Sequence, residues 1–197
     1  MGHTRLDHYS PLKVFHHRDR IDAMRRGERP QLIHAQLILT NLCQHSCNFC
    51  AYRSHGYSSS EDFRDRDEIP VEKAAEIVES CRALGVKAIE ITGGGEPLIY
   101  RGLPRVCDDI TAAGMGYGIV TNGSAVTDKS LRALLRARWV RVSMDAGRPE
   151  TYAAIRRVSR KTFDRTRRNL YTLVQARQGP DPVVGVGFVV TRENWRE

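Results

Sequence analysis

From residue 32 onwards, short apolar runs alternate with stretches in which apolar residues recur every three or four positions. The first rhythm belongs to strands and the second to amphipathic helices. The runs predict strands over 34–40, 86–92, 117–121, 140–144 and 183–190. Leu37-Ile38-Leu39 is continuous enough to predict burial on both faces, as parallel sheets require. Val71, Ala74, Ile77, Val78, Cys81 and Leu84 mark a first helix opened by Pro70 and closed at Gly85. Leu103, Val106, Cys107 and Ile110 mark a second, and Leu131, Leu134 and Leu135 a third that Thr127 can cap. A short helix follows Pro149, a longer one carries Phe163, Thr166, Leu170, Leu173 and Val174, and another is expected to begin at Asn194.

Five strands alternating with helices predict parallel strands joined by right-handed crossovers. The expected fold is α/β, a partial (β/α) barrel of the TIM type with about five βα units, and chemistry in such a barrel gathers in the loops after the strands. Residues 1–31 form an N-terminal extension before a core domain over 32–197. Within the extension, Leu12, Phe15, Ile21 and Met24 allow one or two helical turns before Gly27 and Pro30, expected under the barrel floor or along its side. His16 and His17 read as surface residues. Residues 51–69 form a long loop of turn-like composition, a length that often carries function.

Composition adds limits. With 41% hydrophobic and 27% charged residues the chain is ordinary for a globular protein. No apolar run approaches the roughly 20 residues that span a bilayer, and Met1-Gly2-His3-Thr4-Arg5 lacks an apolar signal region. A cytoplasmic location away from membranes is expected. The net charge of +8 invites a nucleic-acid reading. However, 26 of the 31 basic residues are arginines spread over most of the chain, and the densest stretch, Arg156 to Arg168, reads first as a solvated helix face.

The chemistry centres on Cys43-Gln44-His45-Ser46-Cys47-Asn48-Phe49-Cys50, where one short loop can turn three thiols toward one point. An odd count of five cysteines, three of them clustered, does not suit a secreted disulfide framework. Cys81 and Cys107 lie on helical faces and read as buried small hydrophobes. Structural zinc wants four protein donors; His45 could be the fourth only at the cost of strain. Three thiolates on a cubane cluster would leave one iron open for a substrate or cosubstrate. Free thiols and ferredoxin or zinc patterns compete on spacing alone.

Further candidates sit where the strands end. Thr92-Gly93-Gly94-Gly95-Glu96-Pro97 follows the second, and its glycines permit positive φ and close approach of a ligand to the backbone. Thr121-Asn122-Gly123 follows the third, and Ser143-Met144-Asp145-Ala146-Gly147 the fourth, with hydroxyl and carboxylate acceptors suited to a sugar diol. Each alone reads equally well as a turn or cap.

The cysteine spacing with Phe49 before the last thiol, followed by the Gly-Gly-Gly-Glu turn and the two later motifs in order, resembles the radical S-adenosylmethionine (radical SAM) enzymes over residues 32–197. By that resemblance Cys43, Cys47 and Cys50 hold a [4Fe-4S] cluster, and S-adenosylmethionine chelates its fourth iron. Gly93, Gly94, Gly95 and Glu96 would meet the methionine amino group. Thr121 and Asn122 would lie near the cosubstrate, Ser143 and Asp145 at its ribose, and Arg156 at its carboxylate. The implied reaction is reductive cleavage to a 5′-deoxyadenosyl radical that abstracts hydrogen, fed by a low-potential flavodoxin- or ferredoxin-like donor. The loop over 51–69 would shield the cluster. Val190-Thr191-Arg192-Glu193-Asn194 resembles peptide-modifying members, which makes a peptide the first substrate expectation and RNA the second. The family core has six strands against five counted here, so a chain cut short after the fifth strand is expected. A non-catalytic iron-sulfur or electron-transfer protein is the alternative, and a zinc-binding module a third.

Overall fold

A computed structural model describes residues 15–29, 31–54 and 61–197. Five parallel strands pair in chain order: β1 (His34–Leu37), β2 (Ala88–Ile91), β3 (Gly116–Thr121), β4 (Trp139–Ser143) and β5 (Val183–Gly187). A sheet whose neighbours follow sequence order, each joined to the next by a crossover, curves one way round and forms part of a barrel wall. The crossovers are α2 (Val71–Ala83), α3 (Leu103–Ala112) and α4 (Asp128–Arg136), then the pair α5 (Pro149–Arg156) and α6 (Arg160–Ala176). One further helix, α1 (Arg18–Arg25), precedes the sheet and buries no residue. Where the extension sits rests mainly on residues outside the described ones, Leu12 and Pro30 among them.

The core follows the predicted helix faces except at Leu84 and Val174, which lie at the ends of their faces and are exposed. Ile89, Ile91, Ile119, Val140 and Val142 from the sheet pack on Ala74, Val78, Leu103, Val106, Cys107, Ile110 and Leu134 from α2 to α4. Cys107 is buried as expected, while Cys81 is only partly so. Thr127 caps α4 through a reciprocal pair with Ser130, and Pro70 stands one residue before α2 rather than within it.

Three expectations need correction. The first, second and fifth strands are shorter than predicted, because residues 38–40, 92 and 188–190 leave the ladder to build the loops above it. β1 is a sheet edge and not buried on both faces, and Ile38 is 36% exposed. The stretch from Asn194 makes turns and no helix. Residues 61–69 of the long loop also have more order than a structureless loop. Glu68 forms an antiparallel bridge with Thr40, and Ile69 N donates to Leu39 O at 2.9 Å.

Candidate functional site

The cysteine loop leaves the end of β1 and is suspended from the end of α5. The last carbonyls of a helix lack partners within it, and here Ser46 N donates to Arg156 O (3.2 Å) and Asn48 N to Ile155 O (2.9 Å). One set of bonds thereby satisfies the helix end and orients the loop. From the other side Arg53 donates to His45 O (2.8 Å) and Asn41 O (3.2 Å), while its Nε holds Asp65 at 2.6 Å.

Donors meet two of the three thiols. Cys43 Sγ lies 3.4 Å from its neighbour His45 N and 3.9 Å from Asn122 Nδ2. Cys47 Sγ lies 3.4 Å from Arg156 Nη1. Burial pushes both thiol pKa values up, and the Arg156 cation opposes that shift at Cys47. Among the described residues no group of three or more His, Cys, Asp or Glu could hold a single metal ion. A cubane instead takes its cysteines on separate irons. His45 is buried beside the loop with Nε2 3.0 Å from Ser124 Oγ and its ring edge-on to Tyr152. Burial, then the charges of Arg156 and Arg165, pushes its pKa down to about 4, so the ring is neutral, and its Nδ1 has no partner.

The Gly-rich turn packs against this loop. Gly93 and Gly94 have φ of 73° and 44°, and a Cβ on Gly95 would stand 1.9 Å from the Leu42 carbonyl oxygen. Gly95 N donates to Thr40 O and Glu96 N to Leu42 O, each at 2.7 Å. The absent side chains thus admit the chain's own backbone, a reason for glycine there that precedes any ligand. Glu96 is buried, and its carboxylate accepts from Leu98 N (3.0 Å), Thr121 Oγ1 (2.5 Å) and Asn122 N (2.7 Å). Burial raises its pKa, and those three donors pull the other way. Glu96 therefore binds the β2 and β3 loops together.

At the end of β4 the structure brings Ser143, Asp145 and Arg156 into one group. Arg156, in the stretch predicted to be a solvated face, is 5% exposed and lies over the rings of Phe49 and Tyr152 at 5.9 and 5.8 Å. Its Nη2 donates to Ser143 O (2.6 Å) and to Asp145 Oδ2, while its Nε is buried without a partner. Asp145 is 1% exposed with φ of 54°, and its other oxygen accepts from Val189 N at 2.7 Å. Both oxygens of this candidate ribose ligand are thus engaged within the protein.

Three contributors escaped the sequence reading. Gln44 donates to Asn122 Oδ1 (3.2 Å) and Ser124 Oγ (2.9 Å). Arg53 braces the loop, and Asn194 is buried under β5, donating to Asp145 O and Val189 O, both at 2.8 Å. Arg53 and Gln44 stand near the cysteines in sequence, the one signal available. Asn194 lies in the stretch that resembles peptide-modifying members, where the sequence predicts a helix start rather than a buried clamp.

Residues 37–197 match the sequence profile of the Radical SAM superfamily. The S-adenosylmethionine-dependent nucleotide dehydratase of Lacinutrix mariniflava is 31% identical over 105 residues, 53% of this chain and 21% of that protein. The mycofactocin maturase of Mycolicibacterium smegmatis is 29% identical over 158 residues, 79% of this chain and 37% of that protein. The chain thus spans well under half the length of these relatives. In fold, Streptococcus suis SuiB bound to the precursor peptide SuiA covers 95% of this chain and 40% of its own, with a TM-score of 0.69 at 14% identity.

Proposed function

Since the chain belongs to the radical SAM superfamily, whose members use a [4Fe-4S] cluster and S-adenosylmethionine, we propose that Cys43, Cys47 and Cys50 hold the cluster and that the loops after β2, β3 and β4 hold the cosubstrate. The observation that carries this reading is Arg156: a buried cation beside the cysteine loop, with Nη1 on Cys47 Sγ and a buried Nε lacking a partner. An orphaned charged donor is costly unless a ligand completes it, and the methionine carboxylate is an anion of the right kind. Cys43 and Cys47 fit as well, since they come with donors suited to thiolate sulfur.

Bound there, the cluster and cosubstrate would supply the reductive cleavage of S-adenosylmethionine and the radical chemistry that follows from it. The chain's own residues bind and orient. The Gly93–Gly95 turn presents backbone to the methionine amino group. Thr121 and Asn122 line the cosubstrate, and Ser143 reaches the ribose. Glu96 and Asp145 act from behind, because their oxygens are spent on neighbouring loops. No dedicated acid or base is required when a radical abstracts the hydrogen.

A low-potential flavodoxin- or ferredoxin-like protein supplies the electron, and the substrate is a peptide. The stretch over 190–194, which resembles peptide-modifying members, supports that class, and SuiB, similar in fold, is bound to a precursor peptide. The test is anaerobic reconstitution with iron and sulfide, reduction, addition of S-adenosylmethionine and chromatography for 5′-deoxyadenosine. Product is expected, and its loss in Cys47→Ala. A cluster without product would favour the electron-transfer alternative. Against peptide, RNA affinity would fall steeply with salt.

A further inference from the structure

Asn194 touches none of the cysteines assigned above to the cluster, yet one of its three side-chain contacts joins it to Asp145. Its Nδ2 bridges Asp145 O and Val189 O at 2.8 Å, and its Oδ1 accepts from Thr191 N at 2.6 Å. It is 1% exposed, so this clamp is sheltered from water. The clamp holds the turn after β5 against the turn after β4 and fixes Asp145 in its left-handed conformation. Asp145 answers with Oδ1 on Val189 N and Oδ2 on Arg156. Arg156 in turn places Nη1 on Cys47.

Two features make this series more than packing. The Asp145 and Arg156 side chains are almost wholly buried, at 2% and 6% exposure, so screening is weak and their geometry sets the field at the sulfur. Arg156 is also a cation set directly on a candidate ligand, with Nη1 3.4 Å from Cys47 Sγ, whereas Cys43 meets the neutral amide of Asn122 and feels the charge of Arg53. A cationic donor on a thiolate ligand favours the cluster state carrying more negative charge, and hydrogen bonds to the sulfurs are among the factors that set cluster potentials.

We propose that Asn194 and Asp145 are positioning residues that hold Arg156 on Cys47, and that this relay raises the reduction potential of the cluster and ties it to the loop after β5. The proposal rests on the assignment of the three cysteines to the cluster. One consequence is that whatever packs on the turn over 189–194 can alter the ease of reduction without touching the cysteine loop.

The experiment is an EPR-monitored redox titration of the reconstituted protein without S-adenosylmethionine, which keeps any role of Arg156 toward the carboxylate out of the result. Arg156→Gln is expected to lower the reduced-to-oxidised ratio at fixed potential by on the order of tenfold, a shift of about 59 mV for one electron. Asn194→Ala should shift it the same way by less, and the double variant no further than Arg156→Gln alone. Tyr117→Phe, which loses a buried bond from β3 to Ala133 O of α4 and no contact with Cys43, Cys47 or Arg156, should leave the potential unchanged. Should Arg156→Gln fail to hold a cluster, Asn194→Ala against Tyr117→Phe decides by itself. An Asn194→Ala potential equal to the parent's, additive shifts in the double variant, or an equal shift in Tyr117→Phe would overturn the relay. A parent protein that forms no cluster would instead overturn the cysteine assignment.

Discussion

Glu96 illustrates how one side chain can be read for two jobs. In a Gly-Gly-Gly-Glu turn its carboxylate invites assignment to a ligand, yet three protein donors converge on it, two of them backbone amides. All three need an acceptor, so Glu96→Gln, nearly identical in shape, turns an NH2 group toward at least one N–H or O–H. The expected cost is about 1–3 kcal/mol, the penalty for unsatisfied buried polar groups, read as a lower urea midpoint. An unchanged midpoint would mean that the donors reach water or another acceptor. His45 follows the same logic in reverse. Its place between two candidate ligand cysteines suggests metal binding, but its Nε2 is taken by Ser124, and among the described residues no group of three or more His, Cys, Asp or Glu could hold a metal ion.

At the level of elements, the site depends on how closely two loops approach. The β2 loop and the start of the cysteine loop run backbone against backbone, with two bonds of 2.7 Å between them. Gly95 is the contact point, and its Cβ position is filled by the Leu42 carbonyl. Backbone cannot rotate away as a side chain can, so Gly95→Ala should cost about 3 kcal/mol or more, and separation of the loops should also shorten cluster lifetime in air. Thermal melts of the apoprotein and the decay of cluster absorbance measure the two effects. The α5 end plays the complementary part on the far side, its last carbonyls receiving the amides of Ser46 and Asn48.

For the whole molecule, the barrel wall separates a packed body from a polar rim, and the body carries its own pH signature. Burial pushes the Cys107 thiol up to about 12 and raises the Tyr117 hydroxyl as well. Both protons are held more tightly in the folded chain. Their contribution is therefore intact below the thiol's ordinary value of about 8.5 and is lost as pH rises toward 12. Over that window the parent should lose stability faster than Cys107→Ala, by up to about 1.4 kcal/mol per pH unit. Urea titrations of both proteins between pH 8 and 10.5 measure the difference. Parallel curves would mean that Cys107 ionises freely in the fold. Among the described residues no helix is long and apolar enough to cross a membrane.

The sequence by itself determined the order of five strands, the crossovers between them and the core residues of α2 to α4, because hydrophobic periodicity is local and each element repeats it. It also determined the three thiols and the Gly-rich turn, since short loops keep their spacing in one dimension. Tertiary structure alone decided the rest. Arg156 stands in a charged stretch and is tied to the site in sequence by resemblance alone; the fold sets it among Cys47, Ser143 and Asp145. Asn194 took its meaning from Asp145, 49 residues away, and Gln44 from Ser124, 80 residues away. Strand ends moved for the same reason: residues 38–40 have the composition of a strand, but their backbone groups are claimed by the Gly-rich turn and by residues 67–69. Composition records what a residue can do locally, and only the fold determines which distant partner it meets.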